Sequence, residues 1–311
     1  MNNFKKLIKI IIRKYQSIVN KSNVIKEPTL IMTILAKDEV DVIEQQLIFH
    51  KRMGVDSFVV TDNGSSDGTL EVFEKYQKKG WIKEIILEPS KDYYQTEWVD
   101  NMIRIARDKY KADWIINSDA DEFWLSKSGN LKNELRQSTA NSLAVKIYNV
   151  YPGENSDKKY LDNTYLIKKQ INTERYNLSQ FSIYNRQIEK VIHRSLGYVA
   201  IRMGNHSVDM KKKNQHESKD IEIFHFCLRG YEHFIRKMTN GGESVERAVR
   251  LKKDVAVHWR YYYELLQDKN TDPIIEYNRV IGTKYFNDFV RDGVLVKDES
   301  VRNVLEGSDA E

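Results

Sequence analysis

The chain carries a single cysteine, Cys227, in 311 residues. That count excludes an intrachain disulfide and a cysteine-based zinc cluster, and a reducing compartment fits it. No basic stripe interleaved with aromatics runs along the body, so nucleic acid is not an expected partner. The N-terminal segment has no small-residue cleavage site of the signal-peptide kind, and charges interrupt it too often for a membrane span. No internal repeat or low-complexity tract is visible.

With 41% hydrophobic and 31% charged residues, the chain has the composition of an ordinary globular protein with one substantial core. The net charge of +5 is unevenly placed. Residues 1–30 hold seven basic side chains against Glu27, a net of +6, which leaves −1 for everything after them. Phe4, Leu7, Ile8, Ile11, Tyr15, Ile18 and Val19 recur at helical spacing, with lysines and Arg13 on the other side. Residues 1–27 are therefore expected to form a basic amphipathic helix. It either lies on an anionic bilayer, making peripheral membrane contact through residues 1–26, or packs its apolar face on the body.

After Pro28 the pattern alternates. Apolar runs at 29–35, 57–61, 81–87 and 114–117 read as strands, and helical patterns at about 38–53, 69–79 and 94–110 separate them. This beat predicts a mainly parallel sheet covered by helices on both faces, with the ligand beyond the carboxyl ends of the strands. Beyond residue 140, residues 142–148, 199–203 and 221–227 read as strands, 231–265 as helical, and the rest as a polar tail with patches of helix.

Asp119-Ala-Asp121-Glu122 follows the fourth strand. Three carboxylates within four positions repel one another, and a divalent cation with hard oxygen ligands, Mn²⁺ or Mg²⁺, removes that penalty. In an extended segment Asp119 and Asp121 face the same way and can share one ion. Such an ion would bridge a diphosphate and stabilise a nucleoside diphosphate as it leaves. The turn-rich Asp62-Asn-Gly-Ser-Ser-Asp-Gly68 follows the second strand and should open onto the same rim.

These segments resemble a known family. Ala36-Lys-Asp-Glu39, Asp62-Asn-Gly-Ser-Ser-Asp-Gly-Thr69 and Ala112-Asp-Trp-Ile-Ile-Asn-Ser-Asp-Ala-Asp-Glu-Phe123 are similar to the glycosyltransferase family 2 group and its relatives. The resemblance implies an α/β nucleotide-diphospho-sugar transferase (GT-A) fold: a mixed, mainly parallel sheet flanked by helices, with terminal helical extensions. It implies that Asp62 contacts the base or ribose, and that Asp119 and Asp121 hold the metal and diphosphate. Lys190-Val-Ile-His-Arg194, Gly204-Asn-His206 and Phe224-His225-Phe-Cys-Leu-Arg229 resemble spaced elements of the subgroup whose acidic motif reads Asp-x-Asp-Glu-Phe. On that basis His225, ahead of His206, is a third metal or diphosphate contact. Lys37, Glu39, Arg229 and Lys237 are further donor-binding candidates.

The expected activity is transfer of a sugar from a nucleotide-sugar, with a UDP-sugar favoured, to a hydroxyl of a glycan or lipid-linked acceptor, with inversion. Asp209 and Glu217 are the candidate catalytic bases, with Glu154, Asp157 and Glu174 behind them. Tyr93, Tyr94, Gln95 and Trp98 are candidates for the sugar cleft. The expected domains are a helix at 1–27, a catalytic domain at 28–260 and a helical extension at 261–311. The expected setting is the cytoplasm, at the inner face of the cell membrane, in surface polysaccharide synthesis. Two alternatives stand beside this reading. One is a sugar-1-phosphate nucleotidyltransferase, disfavoured because residues 36–39 contain no glycine for a phosphate loop. The other is a non-catalytic glycan-binding scaffold.

Overall fold

The computed structural model describes residues 25–89, 94–153, 160–247 and 256–307. The expected helix at 1–27 lies almost wholly outside the described residues. The first half follows the predicted alternation: Leu30–Ala36 (β1), Val40–Arg52 (α1), Ser57–Asp62 (β2), Thr69–Lys78 (α2), Ile82–Leu87 (β3), Gln95–Asp108 (α3) and Trp114–Asp119 (β4). A two-residue turn at Ala120 and Asp121 then reverses the chain into Glu122–Ser126 (β5). Lys132–Leu135 (α4), Ser142–Asn149 (β6), Tyr165–Ile167 (β7), Lys190–Arg194 (β8), Tyr198–Ile201 (β9), Val208–Met210 (β10) and Gln215–His225 (β11) follow. The remainder is Tyr231–Arg247 (α5), Val257–Gln267 (α6), Pro273–Ile281 (α7), Phe286–Arg291 (α8), Leu295–Lys297 (β12) and Ser300–Glu306 (α9).

The main sheet has eight strands in the order β3-β2-β1-β4-β8-β6-β11-β5. Strands β3, β2, β1 and β4 run parallel, as do β6 and β11, while β8 is antiparallel to both its neighbours and β5 to β11. This is the mixed, mainly parallel sheet that the GT-A resemblance implies. Period-2 alternation divides the core. Leu30, Met32, Ile34, Phe58 and Val60 pack with α1 and α2, whereas Ile31, Val59 and Ile115 pack with Met102 and Ile103 of α3. A third core of Tyr184, Phe234, Tyr262, Tyr277 and Phe289 joins α5 to α8.

Three features depart from expectation. Strand β8 stands where loop was read, because Lys190 and Arg194 at its ends break the apolar run. Inside the sheet Lys190 is paired and His193 fully buried. Strand β11 begins six residues before the expected 221, and its first half is solvated. The polar tail is not an appendage. The boundary expected at 260 falls inside α6, β12 pairs with β7, Val301 of α9 belongs to the main core, and Arg52 donates to the Val304 and Leu305 carbonyls at 2.6 and 2.8 Å. Helix α5 lies directly against α6 at Gly241 and Gly242. A Cβ on Gly241 would stand 2.8 Å from the Trp259 ring, and one on Gly242 would collide with Tyr263.

Two buried histidines stitch the layers. His50 Nδ1 donates to the Gln46 carbonyl at 2.8 Å and its Nε2 accepts from the Trp124 amide at 3.0 Å, tying α1 to β5. On the sheet, Thr33 Oγ1 donates to Asn117 at 2.7 Å, and Asn117 Nδ2 donates to His193 Nε2 at 3.2 Å, linking β1, β4 and β8. Burial pushes the two imidazoles down to about 3 and about 4 respectively. Both are neutral in the fold, so the unfolded chain takes up protons first as pH falls below 6.5, and stability falls with pH. Each histidine should cost about 2 kcal/mol between pH 6.5 and 5. Urea denaturation at pH 7, 6 and 5 measures this; a flat profile would contradict it.

Candidate active site

At the carboxyl ends of β1 and β2 the two following loops are bonded to each other. Asp38 Oδ1 accepts from the Ser66 amide at 2.8 Å, Ser65 Oγ accepts from the Asp38 amide at 3.0 Å, and Thr69 Oγ1 accepts from the Glu39 amide at 2.9 Å. Asp38 takes a positive φ of 55° to make this junction. Asp62 is buried, and its Oδ2 accepts from the amides of Gly64 and Ser65, both at 3.0 Å, in a tight Asx turn. Its Oδ1 is also buried and has no hydrogen-bond partner among the described residues.

The acidic turn after β4 is met by cations from distant elements. Lys190 Nζ lies 2.6 Å from Asp119 Oδ2 and 2.5 Å from Glu122 Oε1. Lys237 Nζ of α5 donates to Asp121 Oδ2 at 2.7 Å and to the Cys227 carbonyl at 3.0 Å. Burial alone would raise the Asp121 pKa, but Lys237, His225 and Arg229 hold it well below the ordinary carboxylate range. Glu122 is fully buried. Burial, opposed by Lys190 and reinforced by the charge on Asp119, pushes its carboxyl up to about 7.

At the end of β11, His225 Nδ1 donates to Asn149 Oδ1 at 2.9 Å, while Asn149 Nδ2 is engaged with the Ile183 carbonyl at 2.8 Å. This sets Nδ1 as the donor to Asn149 and turns Nε2 toward Asp121 Oδ1, 3.5 Å away. Arg229 grips both Glu39, at 2.5 Å, and Asp41, at 2.7 Å, with a side chain only 1% exposed. It clamps the loop after β1 against the acidic turn, 4.0 Å from Asp121.

Asp119, Asp121, His225 and Lys237 face a cavity of about 760 Å³. Lys37 and Asn63 line it at the first two loops, Trp98 on α3, Asp119 and Asp121 at the turn, and Lys237 on α5. Cys227 also lines it, but burial pushes that thiol up to about 12, so it is no nucleophile at neutral pH.

The structure thus brings together Lys37, Glu39, Asp119, Asp121, His225 and Lys237, with Asp62 directly behind Asn63. Two expectations change. Arg229 is consumed by Glu39 and Asp41 and does not line the cavity, because the turn needs a cation there to hold the loop. Asp209 and Glu217 are also away from it. Asp209 pairs with Arg202 on the exposed β9–β10 hairpin. Glu217 is on the solvated start of β11, roughly 25 Å of extended strand from the His225 end. Glu174 is exposed, and Glu154 and Asp157 lie outside the described residues. His206 donates toward the Glu189 carbonyl. Of the cleft candidates, Gln95 and Trp98 line the cavity, Tyr94 packs edge-on to Trp98, and Tyr93 is outside the described residues. Sequence reading missed the roles of Lys190, Glu122 and Asn149. Nothing local marks a lysine that will be buried between two carboxylates.

A family comparison decides the class. The profile of glycosyltransferase family 92 matches residues 34–281. The chain belongs to glycosyltransferase family 92. The match runs from β1 to the last residue of α7, so family 92 features extend past the boundary expected at 260. The motifs pointed to the family 2 group and its relatives; the matching family carries the number 92, and the chain is a glycosyltransferase rather than a nucleotidyltransferase or an inert scaffold. No curated protein matches it. Among solved structures it is similar to TarS of S. aureus (residues 1–349), at 13% identity over 84% of this chain and 74% of that one, with a TM-score of 0.40. It is also similar to a mannosyltransferase of Pyrobaculum calidifontis solved with GDP-mannose and Mn²⁺, at 13% identity over 78% and 71%, with a TM-score of 0.42.

Lys190 is the residue on which the acidic turn most depends. Lys190→Met leaves Glu122 buried without its cation, and should cost about 3–5 kcal/mol of stability. Adding Glu122→Gln should recover part of that loss. Urea denaturation of the single and double variants checks both; equal stability of Lys190→Met and the parent would refute the assignment.

Proposed function

We propose that this family 92 chain transfers a sugar from a nucleoside-diphosphate sugar to a hydroxyl acceptor, with the donor seated along the loops after β1, β2 and β4. The observation that carries this reading is the approach of Asp121 Oδ1 and His225 Nε2 to 3.5 Å at the cavity wall, beside Lys237. Asn149 and Lys237 hold the two side chains there, and a carboxylate oxygen and a neutral imidazole nitrogen at this spacing can share a divalent ion.

Among the described residues no group of three or more His, Cys, Asp or Glu side chains forms a protein-only cage. Mn²⁺ and Mg²⁺ in nucleotide sites, however, commonly take one or two protein ligands and complete the shell with phosphate oxygens and water. Asp121 and His225 fit that smaller role, and Asn149 supplies the outer partner that such a histidine needs. When bound, the ion would neutralise the diphosphate as it departs. Asp119 stands on the other side of the turn, committed to Lys190, and supports the turn more than it ligates.

The chain's own groups do the rest. Lys237 lies beside Asp121, where it can take a phosphate oxygen once Asp121 turns to a cation, adding fixed positive charge where negative charge develops. Asp62 Oδ1, buried behind Asn63 and without a hydrogen-bond partner among the described residues, would accept from a base N–H or ribose hydroxyl if the Asn63 side chain moved aside. Lys37 at the mouth meets the diphosphate as it enters. Inversion requires a carboxylate on the acceptor side, and Asp38, Glu39, Asp119 and Asp121 are the carboxylates lining the cavity among the described residues. The basic segment 1–26 is proposed as a peripheral contact with an anionic membrane, where a lipid-linked acceptor would be presented. No helix of the described residues is long and apolar enough to cross a membrane.

A thermal-shift panel of UDP, GDP, CDP and ADP, each with and without Mn²⁺, tests the donor site. One base, with UDP first, should stabilise the fold by about 2.7 kcal/mol at a hundred times its Kd. Asp121→Ala should abolish the Mn²⁺-dependent part while folding normally. Shifts that ignore Mn²⁺ would remove the metal role, and no shift with any nucleotide would remove the donor reading.

A further inference from the structure

Helix α5 brings one more group to the cavity wall than the donor site described above uses. His233, in the first turn of this 17-residue helix, lines the cavity although it is only 6% exposed. Its Nδ1 accepts from the Arg229 amide at 3.2 Å. A backbone N–H can only donate, so Nδ1 keeps its lone pair and the neutral ring carries its hydrogen on Nε2. No described residue accepts from Nε2. A donor more than nine-tenths buried therefore stands on the wall of the site without a partner, and burial leaves it in need of one.

The charge state of the ring agrees with this geometry. Burial first, then the nearby cations Arg229 and Lys237, hold its pKa far below the ordinary histidine range, and Asp121 offsets them only in part. The imidazole is neutral. With a hydrogen rather than a lone pair on Nε2, it is neither a metal ligand nor a general base toward the cavity. It can only donate. Arg229 is already paired with Glu39 and Asp41, so Lys237 and the positive end of α5 are what remain to attract an anion. His233 and Lys237 are four residues apart on one helical face, about 6 Å along the axis. That separation is comparable with the span between the outer oxygens of a diphosphate.

From this placement we infer that His233 is a donor-binding residue, whose Nε2–H reaches an oxygen of the β-phosphate of a nucleoside diphosphate next to Lys237. This role rests on the nucleotide-sugar reading above and assigns one contact within it. A neutral N–H held by a backbone amide suits that oxygen, because it is already oriented when negative charge develops on the departing diphosphate. A hydrogen bond to an ionised acceptor is also the stronger kind. The two histidines then divide the wall between them. His225 presents Nε2 to Asp121, on the side proposed for a cation, and His233 offers a hydrogen to the anion.

Two variants separate binding from scaffolding. His233→Asn keeps an acceptor for the Arg229 amide but no longer reaches the Nε2 position. His233→Gln reaches that position with an amide N–H and gives up the Nδ1 acceptor. The full chain is titrated by calorimetry, in Mn²⁺, with UDP or whichever nucleoside diphosphate stabilises the parent. His233→Asn should bind it about tenfold more weakly, and His233→Gln should return to within about threefold of the parent. Affinity for the matching monophosphate, UMP in the first case, should be the same in all three proteins. A histidine-selective NMR spectrum of the parent reads the same contact without a variant: the neutral Nε2–H tautomer should be present, and its Nε2 resonance should move with UDP and not with UMP. Parent-like UDP affinity in His233→Asn overturns the role. So does an equal loss of UDP and UMP affinity, or a His233 resonance that UDP leaves in place. A parent that binds no nucleotide at all fails earlier, at the donor reading, and the proposed contact falls with it.

Discussion

Pairing of crowded carboxylates with cations from remote parts of the chain governs this molecule. Asp119, Asp121 and Glu122 follow one another at a single strand end, and Glu39 and Asp41 approach from the loop after β1. Left alone they would repel one another and resist burial. Lys190 arrives on β8, Arg229 from just beyond β11, and Lys237 on α5. Each lies some seventy or more positions from the carboxylates it meets. The second half of the chain therefore closes on the first by charge at the site as well as by apolar packing elsewhere.

The same pairing links the parts of the donor site. The loops after β1 and β2 are bonded to each other through Asp38, Ser65, Ser66 and Thr69, and Arg229 fastens the first of them to the acidic turn. Groups proposed to read the base and groups proposed to hold the diphosphate thus share one rigid frame. Precision of this kind comes from supporting contacts as much as from the residues that touch substrate.

Much of the first half was legible. Its strands and helices are continuous periodic segments, and the turns after β2 and β4 carry dense, unusual polar residues at the rim where ligands bind. Asp62, Asp119 and Asp121 stood out for that reason, and His225 and Lys237 came from the resemblance. The rest was hidden for physical reasons. Strand β8 is short and ends in charges that only tertiary partners make tolerable. Arg229 reads as a phosphate ligand until its two carboxylate partners, nearly two hundred residues earlier, are seen. Asp209 and Glu217 were plausible by position in the chain, but position along a strand does not say which end reaches the cavity. The C-terminal segment read as a polar extension because its contacts, Arg52 with the α9 carbonyls and β12 with β7, are all long-range.

The backbone-close contact of α5 with α6 has an implication for how such a protein diversifies. Because Gly241 and Gly242 carry no side chain, the Trp259 and Tyr263 rings of α6 seat directly on the α5 backbone, and the distance between the two helices is set there like a fixed caliper. Residues facing inward from either helix can then change without altering the gauge. A lineage could exchange Asn240, Ser244 or His258 to suit a new partner molecule, while either glycine gaining a methyl group would reset the gap and every contact made across it at once.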